Sequence, residues 1–322
     1  MKAMNAIKPV IVISKCLTFD ACRYNGQMIP DPFIEKMKNY VDFIPVCPEV
    51  SIHLGVPRKP IRLVLANEKY QLVQPSSGKD CTQDMEQFSQ KWLGSLQEVD
   101  GFILKSRSPS CGIKDVRVYP AINSKASIKK DIGFFGQKVK LLFPHLAQED
   151  EGRMLNANIR EHFLSQIFLQ AKFRELQNQY SISRLIDFHT RNKYLFMACN
   201  QSELSKMGRL VARAKRMPQD QVIQEYQGHI QAMFCKLPRI ATMINAMLHC
   251  FGYVSDKLSS EERSYFLDLI QQYKGKLIPL SVLVSVMKSW IIRFKEPYLS
   301  DQTLFNPYPE ALANMSDSGK NE

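Results

Sequence analysis

Short apolar runs separated by polar loops fill the first 150 residues. Pro9-Val10-Ile11-Val12-Ile13-Ser14, Phe43-Ile44-Pro45-Val46 and Val99-Asp100-Gly101-Phe102-Ile103-Leu104 are brief and continuous, the signature of buried strands. Between them, Pro30-Asp31-Pro32 opens a helix to about Tyr40. Thr82 caps another to about Val99, with Glu86 placed to assist. Residues 62–66 and 70–73 read as a hairpin around Asn67-Glu68, residues 113–119 as extended and 133–143 as helical. This alternation predicts an α/β N-terminal domain with a short, mainly parallel sheet.

From about Asn156 the period changes. Strand patterns disappear and helical spacing covers 157–179, 182–198, 201–216, 219–234, 238–254, 260–273 and 280–295. Met217-Pro218, Leu237-Pro238 and Ile278-Pro279 punctuate these segments. The acidic run Gln148-Glu149-Asp150-Glu151-Gly152 marks the expected boundary, giving domains over 1–150 and 151–322, the second an all-α C-terminal domain. The tail after Pro309 is polar and expected to fray.

Charge narrows the partners. Of 322 residues, 43 are Lys or Arg and 31 Asp or Glu, for a net charge of +12. Residues 1–150 hold 21 basic and 15 acidic side chains and residues 151–322 hold 22 and 16, so the excess is spread over both domains. A polyanionic partner and an ordinary solvated basic surface both fit this balance. The apolar runs fall far short of a membrane span, and Met1-Lys2-Ala3-Met4 opens toward a strand without a signal-peptide pattern. A soluble cytoplasmic protein is expected, and its eight cysteines then suggest metal binding or free thiols rather than disulfides.

The cysteines carry the candidate chemistry. Cys16, Cys47 and Cys111 each follow a strand-like run, so a parallel sheet would bring three thiols to one edge. Cys111 lies in the turn Lys105-Ser106-Arg107-Ser108-Pro109-Ser110-Cys111-Gly112, where Pro109 fixes one backbone angle and Gly112 permits an unusual one. Thiolates hold soft metals, and an iron left open by a three-cysteine set is a Lewis acid. Each cysteine taken alone is equally a small buried hydrophobe. Zinc lacks a CxxC pair or a nearby His to complete its set. Cys22 is a candidate fourth ligand and Cys81 a structural residue at a helix start. Glu49 has the alternative role of a helix cap, and Ser108 and Ser110 of satisfying turn amides.

Ser14-Lys15-Cys16-Leu17, Arg23-Tyr24-Asn25-Gly26, Cys47-Pro48-Glu49-Val50, Pro57-Arg58-Lys59-Pro60 and residues 105–112 occur in that order. Together they resemble the thiouracil desulfidase (TudS-like) family over about residues 8–150. The resemblance implies a [4Fe–4S] cluster held by Cys16, Cys47 and Cys111, with the catalytic pair falling on Glu49 and Ser108. Ser106 and Ser110 stand close to the serine position. Cys22 occupies a place where relatives commonly carry an apolar residue.

In the helical half, Phe188-His189-Thr190-Arg191-Asn192-Lys193-Tyr194-Leu195-Phe196-Met197-Ala198, with Leu210-Val211-Ala212, His249-Cys250-Phe251-Gly252-Tyr253 and Asn306-Pro307-Tyr308-Pro309, resembles the YbgA-type helical domain over about 155–312. Relatives often carry histidines where this chain has Asn192 and Cys199, which argues against a metal there. His189 and His249 read as core or hydrogen-bonding residues. Lys206, Arg209, Arg213 and Arg216 share one helical face in a segment without an acidic residue from Ser205 through Gln219. Such a stripe suits a phosphate backbone, and equally a solvated face.

The two resemblances combined are similar to the fused tRNA 4-thiouridine desulfidases (RudS-like). They imply removal of sulfur from 4-thiouridine in tRNA, leaving uridine, with tRNA as partner, no membrane and no protein partner. Ser108 and Glu49 would activate water, and Lys105 or Arg107 would steady charge on the pyrimidine. The alternatives are a desulfidase of free thiouracil or thionucleosides, and a non-catalytic iron–sulfur nucleic-acid-binding protein.

Overall fold

The computed structural model describes residues 7–313. The opening residues 1–6 and the tail beyond 313 lie outside them; of the tail expected to fray after Pro309, Glu310–Leu312 instead forms a 3-10 turn that buries Leu312. The chain divides into two compact units, Met1–Ala171 together with Ala311–Glu322, and Lys172–Glu310. This division falls inside a helix.

The first unit contains nine strands: β1 (Val10–Ser14), β2 (Asp42–Val46), β3 (Arg62–Ala66), β4 (Lys69–Gln74), β5 (Lys79–Asp80), β6 (Gly101–Leu104), β7 (Val116–Tyr119), β8 (Lys129–Asp131) and β9 (Ala147–Asp150). Its helices are α1 (Pro32–Met37), α2 (Pro48–Ser51), α3 (Thr82–Gly94) and α4 (Phe134–Leu142), and α5 (Ala157–Asn178) begins in it. β2, β1, β6 and β9 form one sheet in that order, and all three pairings are parallel. Every residue of β6 and all but the first of β1 are buried, as expected for inner strands of a sheet covered on both faces. Phe102 packs against Phe143 and, on α4, Phe135 packs against Trp92 of α3, in a core that also encloses Cys111.

The acidic run expected to mark the boundary forms the edge strand β9, whose carboxylates Glu149 and Asp150 pair or bond with Arg153. Two local expectations change. Thr82 does not cap α3, and the reciprocal help expected of Glu86 is not seen. The Thr82 hydroxyl instead accepts from Leu72 N at 2.8 Å, tying the helix start to β4. Finally, strands 3, 4, 5, 7 and 8 form a separate five-stranded sheet, in the order β5-β4-β3-β7-β8, with only β3·β7 parallel. The expected hairpin around Asn67-Glu68 is its β3–β4 turn, with both residues at positive φ, as a two-residue hairpin turn demands.

Among the described residues of the second unit there is no strand. After α5 come α6 (Ile182–Cys199), α7 (Gln201–Arg213), α8 (Gln219–Phe234), α9 (Ile240–Phe251), α10 (Ser260–Lys274), α11 (Leu280–Phe294) and the short α12 (Pro297–Ser300). Pro218 and Pro279 sit at the N-caps of α8 and α11, where a missing N–H costs nothing. Ser259 and Glu262 form a reciprocal capping box on α10. Tyr226 is fully buried, stacked on Phe173, with its hydroxyl 3.1 Å from His189 Nδ1. Burial pushes His189 down to about 4, the behaviour of a neutral core histidine. His249, by contrast, is exposed. No helix among the described residues is long and apolar enough to cross a membrane.

Candidate active site

The C-terminal ends of β1, β2, β6 and β9 lie at one edge of the parallel sheet, and the chain leaves each carrying a functional side chain. Cys16 follows β1, Cys47 follows β2, the 105–112 turn with Cys111 follows β6, and Glu151 follows β9. Strand ends of open α/β sheets are where such folds gather chemistry. Two hydrogen bonds fix the relative position of the loops. Ser14 Oγ, at the end of β1, accepts from Lys105 N at 2.8 Å, and Lys15 N donates to Val46 O at 2.8 Å.

All eight cysteines are free. The Cys22 thiol neighbours both Cys16 and Cys47. The Cys16 contact, with burial, pushes Cys22 up to about 11, and Cys47 is raised further by Cys22 and by burial. Cys47 Sγ also points at Cys22 O, at 3.9 Å. Burial raises Cys111, with Cys47 close enough to add to the effect and Ser14 and Ser108 opposing it. As free thiols these groups therefore keep their protons, and a cation among them is what would draw out thiolates. Among the described residues no three His, Cys, Asp or Glu side chains converge on a point that would hold a single metal ion. An all-sulfur donor set spread over separate loops fits a polynuclear iron–sulfur centre, whose ligands stand wider apart than those of a lone ion.

Glu49 lies two residues after Cys47, in the first turn of α2. Its Oε2 accepts from Arg58 Nε at 2.9 Å and Nη2 at 2.8 Å, and its Oε1 accepts from Ser110 Oγ at 2.9 Å. The Arg58 side chain is 4% exposed and that of Glu49 14%. Arg58 Nη1 also donates to Cys22 O and Gly55 O, so one guanidinium links the glutamate to the cysteine loop. In the sequence Arg58 stands only within a motif and Ser110 only beside the candidate serine, and nothing local marks either as a partner of Glu49.

The three serines of the central turn have three different partners. Ser106 Oγ donates to Glu151 Oε1 at 2.6 Å, while its backbone N–H meets Glu151 Oε2 at 2.9 Å. Ser108 Oγ accepts from Ser110 N at 3.3 Å and Cys111 N at 3.1 Å, so it organises the turn and keeps its own proton to donate. Ser110 is fully buried and turns to Glu49. The structure thus brings Glu49 together with Ser110 and places half-exposed Ser108 one step away. Lys105 Nζ is paired with Glu151 and bonded to Ser106 Oγ at 2.8 Å. Arg107 is exposed, in the left-handed region at φ 58°. It is Arg107, then, and not Gly112, that adopts the unusual angle. Gly112 is required for space, because a Cβ there would stand 2.4 Å from Val116 Cγ2 and 2.7 Å from Ser108 O.

The cationic stripe of the second unit is less uniform than its spacing suggests. Lys206, Arg209, Arg213 and Arg216 are all exposed. α7 ends at Arg213, however, and Arg216 lies in the following 3-10 turn Ala214–Arg216. Lys206 pairs with Glu203 at 2.6 Å and Arg213 with Glu225 of α8 at 2.7 Å. Arg209 and Arg216 have no ion pair among the described residues.

A family model described as 2-thiouracil desulfurase matches residues 11–151, and one described as a protein of unknown function (DUF1722) matches residues 193–309. The chain belongs to the 2-thiouracil desulfurase family through its first domain, joined to a DUF1722 (YbgA-like) helical domain. The uncharacterized protein YbbK of Bacillus subtilis (strain 168) is 31% identical over 111 residues, 32% of this chain and 73% of that protein. The uncharacterized protein YbgA of Escherichia coli (strain K12) is 26% identical over 136 residues, 42% of this chain and 80% of that protein. Among solved structures, a [4Fe-4S]-dependent thiouracil desulfidase, TudS, is 27% identical, with 46% of this chain and 94% of that one covered at a TM-score of 0.36.

Proposed function

We propose that this protein hydrolytically removes sulfur from 4-thiouridine in tRNA, with a [4Fe–4S] cluster held by Cys16, Cys47 and Cys111. The observation that supports this reading is that the three strands preceding Cys16, Cys47 and Cys111 end at one edge of the sheet, where Glu49 pairs with Ser110. Family membership supports the desulfidase chemistry, and the basic surface of both domains supports a nucleic-acid substrate. The reduced cysteines suit a cytoplasmic setting.

When bound, the cluster supplies an open iron as Lewis acid for the thiocarbonyl sulfur. The chain's own residues do the rest. Arg58 and Ser110 hold Glu49 with both oxygens engaged, fixing the direction in which it accepts a proton from water. Ser108, half-exposed with its proton free, donates to the oxygen that arrives at C4. Arg107, exposed at the turn, steadies the pyrimidine, while Lys105 acts from within its pair with Glu151. A C–O bond forms, the C–S bond breaks, and sulfide leaves with the protons of the water. No electrons change hands.

The test is anaerobic reconstitution with iron and sulfide, followed by nucleoside analysis of treated thiolated tRNA. Loss of 4-thiouridine with matching uridine and sulfide supports the reading. Turnover of free thiouracil alone overturns the tRNA assignment, and no turnover of either overturns the enzyme.

A further inference from the structure

The loop between β1 and α1 doubles back on itself and carries a thiol that the proposed reaction does not use. Ile29 N donates to Cys16 O at 2.8 Å and Thr18 N to Ile29 O at 2.9 Å. Asp20 N returns to Lys15 O at 3.0 Å, and the Lys15 ammonium pairs with Asp20 at 2.7 Å. Thr18 makes the reversal at φ 69°, in the left-handed region that a β-branched side chain adopts only at a cost. Its hydroxyl accepts from Asp31 N at 2.9 Å, which anchors the turn. Cys22 is thereby brought back beside Cys16, at the end of β1.

Cys22 is 3% exposed, whereas Cys16 and Cys47 are half-buried. Its thiol is hydrogen-bonded to Cys16 on one side and to Cys47 on the other. Its carbonyl is held by Arg58 Nη1 at 3.0 Å, and Cys47 Sγ points at the same oxygen. Cys111 has other neighbours: Ser14, Ser108, Cys47 and Glu49. A fourth ligand of a cubane cluster stands equally far from the other three, with iron between the sulfurs. A thiol in direct contact with two others is arranged instead for a sulfur–sulfur bond, which side-chain rotation closes at ~2 Å. Cys16 and Cys22 share one pinned loop, so their bond requires no movement between elements. Cys47 belongs to a different strand end. Of the Cys16–Cys22 pair, Cys16 is the one a small solute reaches first, with Cys22 behind it.

We propose that Cys22 is a resolving thiol, which closes a reversible disulfide with Cys16 when a peroxide oxidises Cys16 in protein that has lost its iron. The Cys16 sulfur attacks one peroxide oxygen, the O–O bond breaks and water leaves, giving a sulfenic acid. The Cys22 sulfur then attacks Cys16 Sγ, the S–S bond forms, the S–O bond breaks, and a second water carries off the remaining thiol proton. The two thiols lose two electrons and the peroxide gains them. The disulfide stops Cys16 from proceeding to the irreversible sulfinic acid, so reduction returns a thiol able to bind iron again. This rests on the reading of Cys16 as a cluster ligand for its purpose, though not for the disulfide itself.

The experiment exposes full-length protein to hydrogen peroxide, once as the reconstituted holoprotein and once after iron is removed by a chelator. Peptide mass mapping without reductant reads the cysteines, and iron uptake after dithiothreitol reads recovery. In wild type the peptides of Cys16 and Cys22 should be joined and two hydrogens lighter, the link should vanish with dithiothreitol, and iron uptake should return to its starting level. In Cys22→Val, which keeps the buried volume, iron uptake before peroxide should equal that of wild type. After peroxide, its Cys16 should be found as sulfinic acid, and most of the iron uptake should be lost even with reductant. Cys22→Ser should behave as Cys22→Val does. Absence of a disulfide at Cys22 in wild type, or a link to Cys47 in place of Cys16, would overturn the proposal. So would full recovery in both variants, or iron lost from them before any peroxide, which would make Cys22 a ligand. If wild type never takes up iron, the cluster reading fails separately. The peptide map of wild type, and the oxidation state of Cys16 in the variants, then still decide the disulfide.

Discussion

Ser110 donates a hydrogen bond to Glu49 across 2.9 Å, from a hydroxyl with no exposed surface to a carboxylate already held by Arg58. The two residues are 61 positions apart in sequence, and their meeting joins the loop after β2 to the turn after β6. Ser110→Ala should therefore act through Glu49. It is expected to lower kcat about tenfold with KM little changed, and Ser108→Ala and Glu49→Gln about a hundredfold or more, the range for a lost acid–base group. All three should retain iron. Sulfide release under anaerobic conditions, with iron assayed in the same samples, separates them. Wild-type rates in Ser108→Ala with a severe loss in Ser110→Ala would move the catalytic serine to position 110.

Removing Arg58 leaves Glu49 with one partner in a largely buried place. Arg58→Met should destabilise the first domain by about 3 kcal/mol, the low end for breaking a buried pair from one side. Arg58→Lys keeps the charge but not the two donors aimed at Oε2, and should fall between. Denaturant unfolding measures both. An unchanged midpoint in Arg58→Met would show that the pair contributes little.

Cluster content is the most direct check on the thiols. Anaerobically prepared protein should carry about four irons and four sulfides per chain. Cys16→Ala, Cys47→Ala and Cys111→Ala should each lose most of them, while Cys81→Ala, Cys199→Ala and Cys235→Ala should not. Full iron in all three strand-end variants would remove the ligand assignment.

Glu151 gives the site a pH dependence. Burial pushes its carboxyl up, but Lys105 Nζ, Ser106 Oγ and Ser106 N outweigh that and hold it below its ordinary 4.5. A group depressed on folding contributes stability above its unfolded value and loses it as pH falls through the folded one. Wild type should therefore melt higher than Glu151→Gln at neutral pH, and the gap should narrow as acidification below the ordinary 4.5 protonates the carboxylate. A gap that stays constant down to pH 2 would contradict this pairing.

For RNA, the four-residue stripe resolves into two pairs. Glu203 and Glu225 already occupy Lys206 and Arg213, whereas Arg209 and Arg216 have no ion pair among the described residues. Arg209→Ala with Arg216→Ala should reduce the salt slope of tRNA binding by about 0.7–0.9 per lost phosphate contact, and the other pair by less. If neither double variant moves the slope, the stripe is a solvated face, and Lys125, Lys129 and Lys130 become the next candidates.

The strands behind the cysteines were legible because β1, β2 and β6 are short apolar runs, and the helices of the second unit because their period and prolines agree. β9 was not legible. Ala147-Gln148-Glu149-Asp150 has no apolar run to betray it, and it is a strand because it pairs with β6 from Gly101 to Leu104. The same pairing delivers Glu151 to Lys105, a contact 46 residues apart that no local spacing announces. The candidate serine was legible only to within a turn, since which of three neighbouring hydroxyls faces Glu49 depends on backbone angles such as the positive φ of Arg107. The acids that neutralise half of the cationic stripe lie just before it or on the next helix, and so escaped a count along the stripe itself.

The turn bearing Cys111 is fastened to the start of α4. Gly133 N donates to Gly112 O, Phe134 N to Pro109 O and Gly136 N to Ser110 O, and a Cβ on Gly133 or Gly136 would collide with the carbonyls of the turn. These bonds satisfy amides that a helix otherwise leaves open, so helix start and turn have no separate way to breathe. In hydrogen exchange the amides of Gly112, Gly133, Phe134 and Gly136 should open together, at the free energy of the α4 helix rather than that of a surface loop. Cys111 is thereby shielded from the thermal excursions that would expose a thiol on an ordinary turn, and its protection against oxidants is set by a helix that never touches the sulfur's own chemistry.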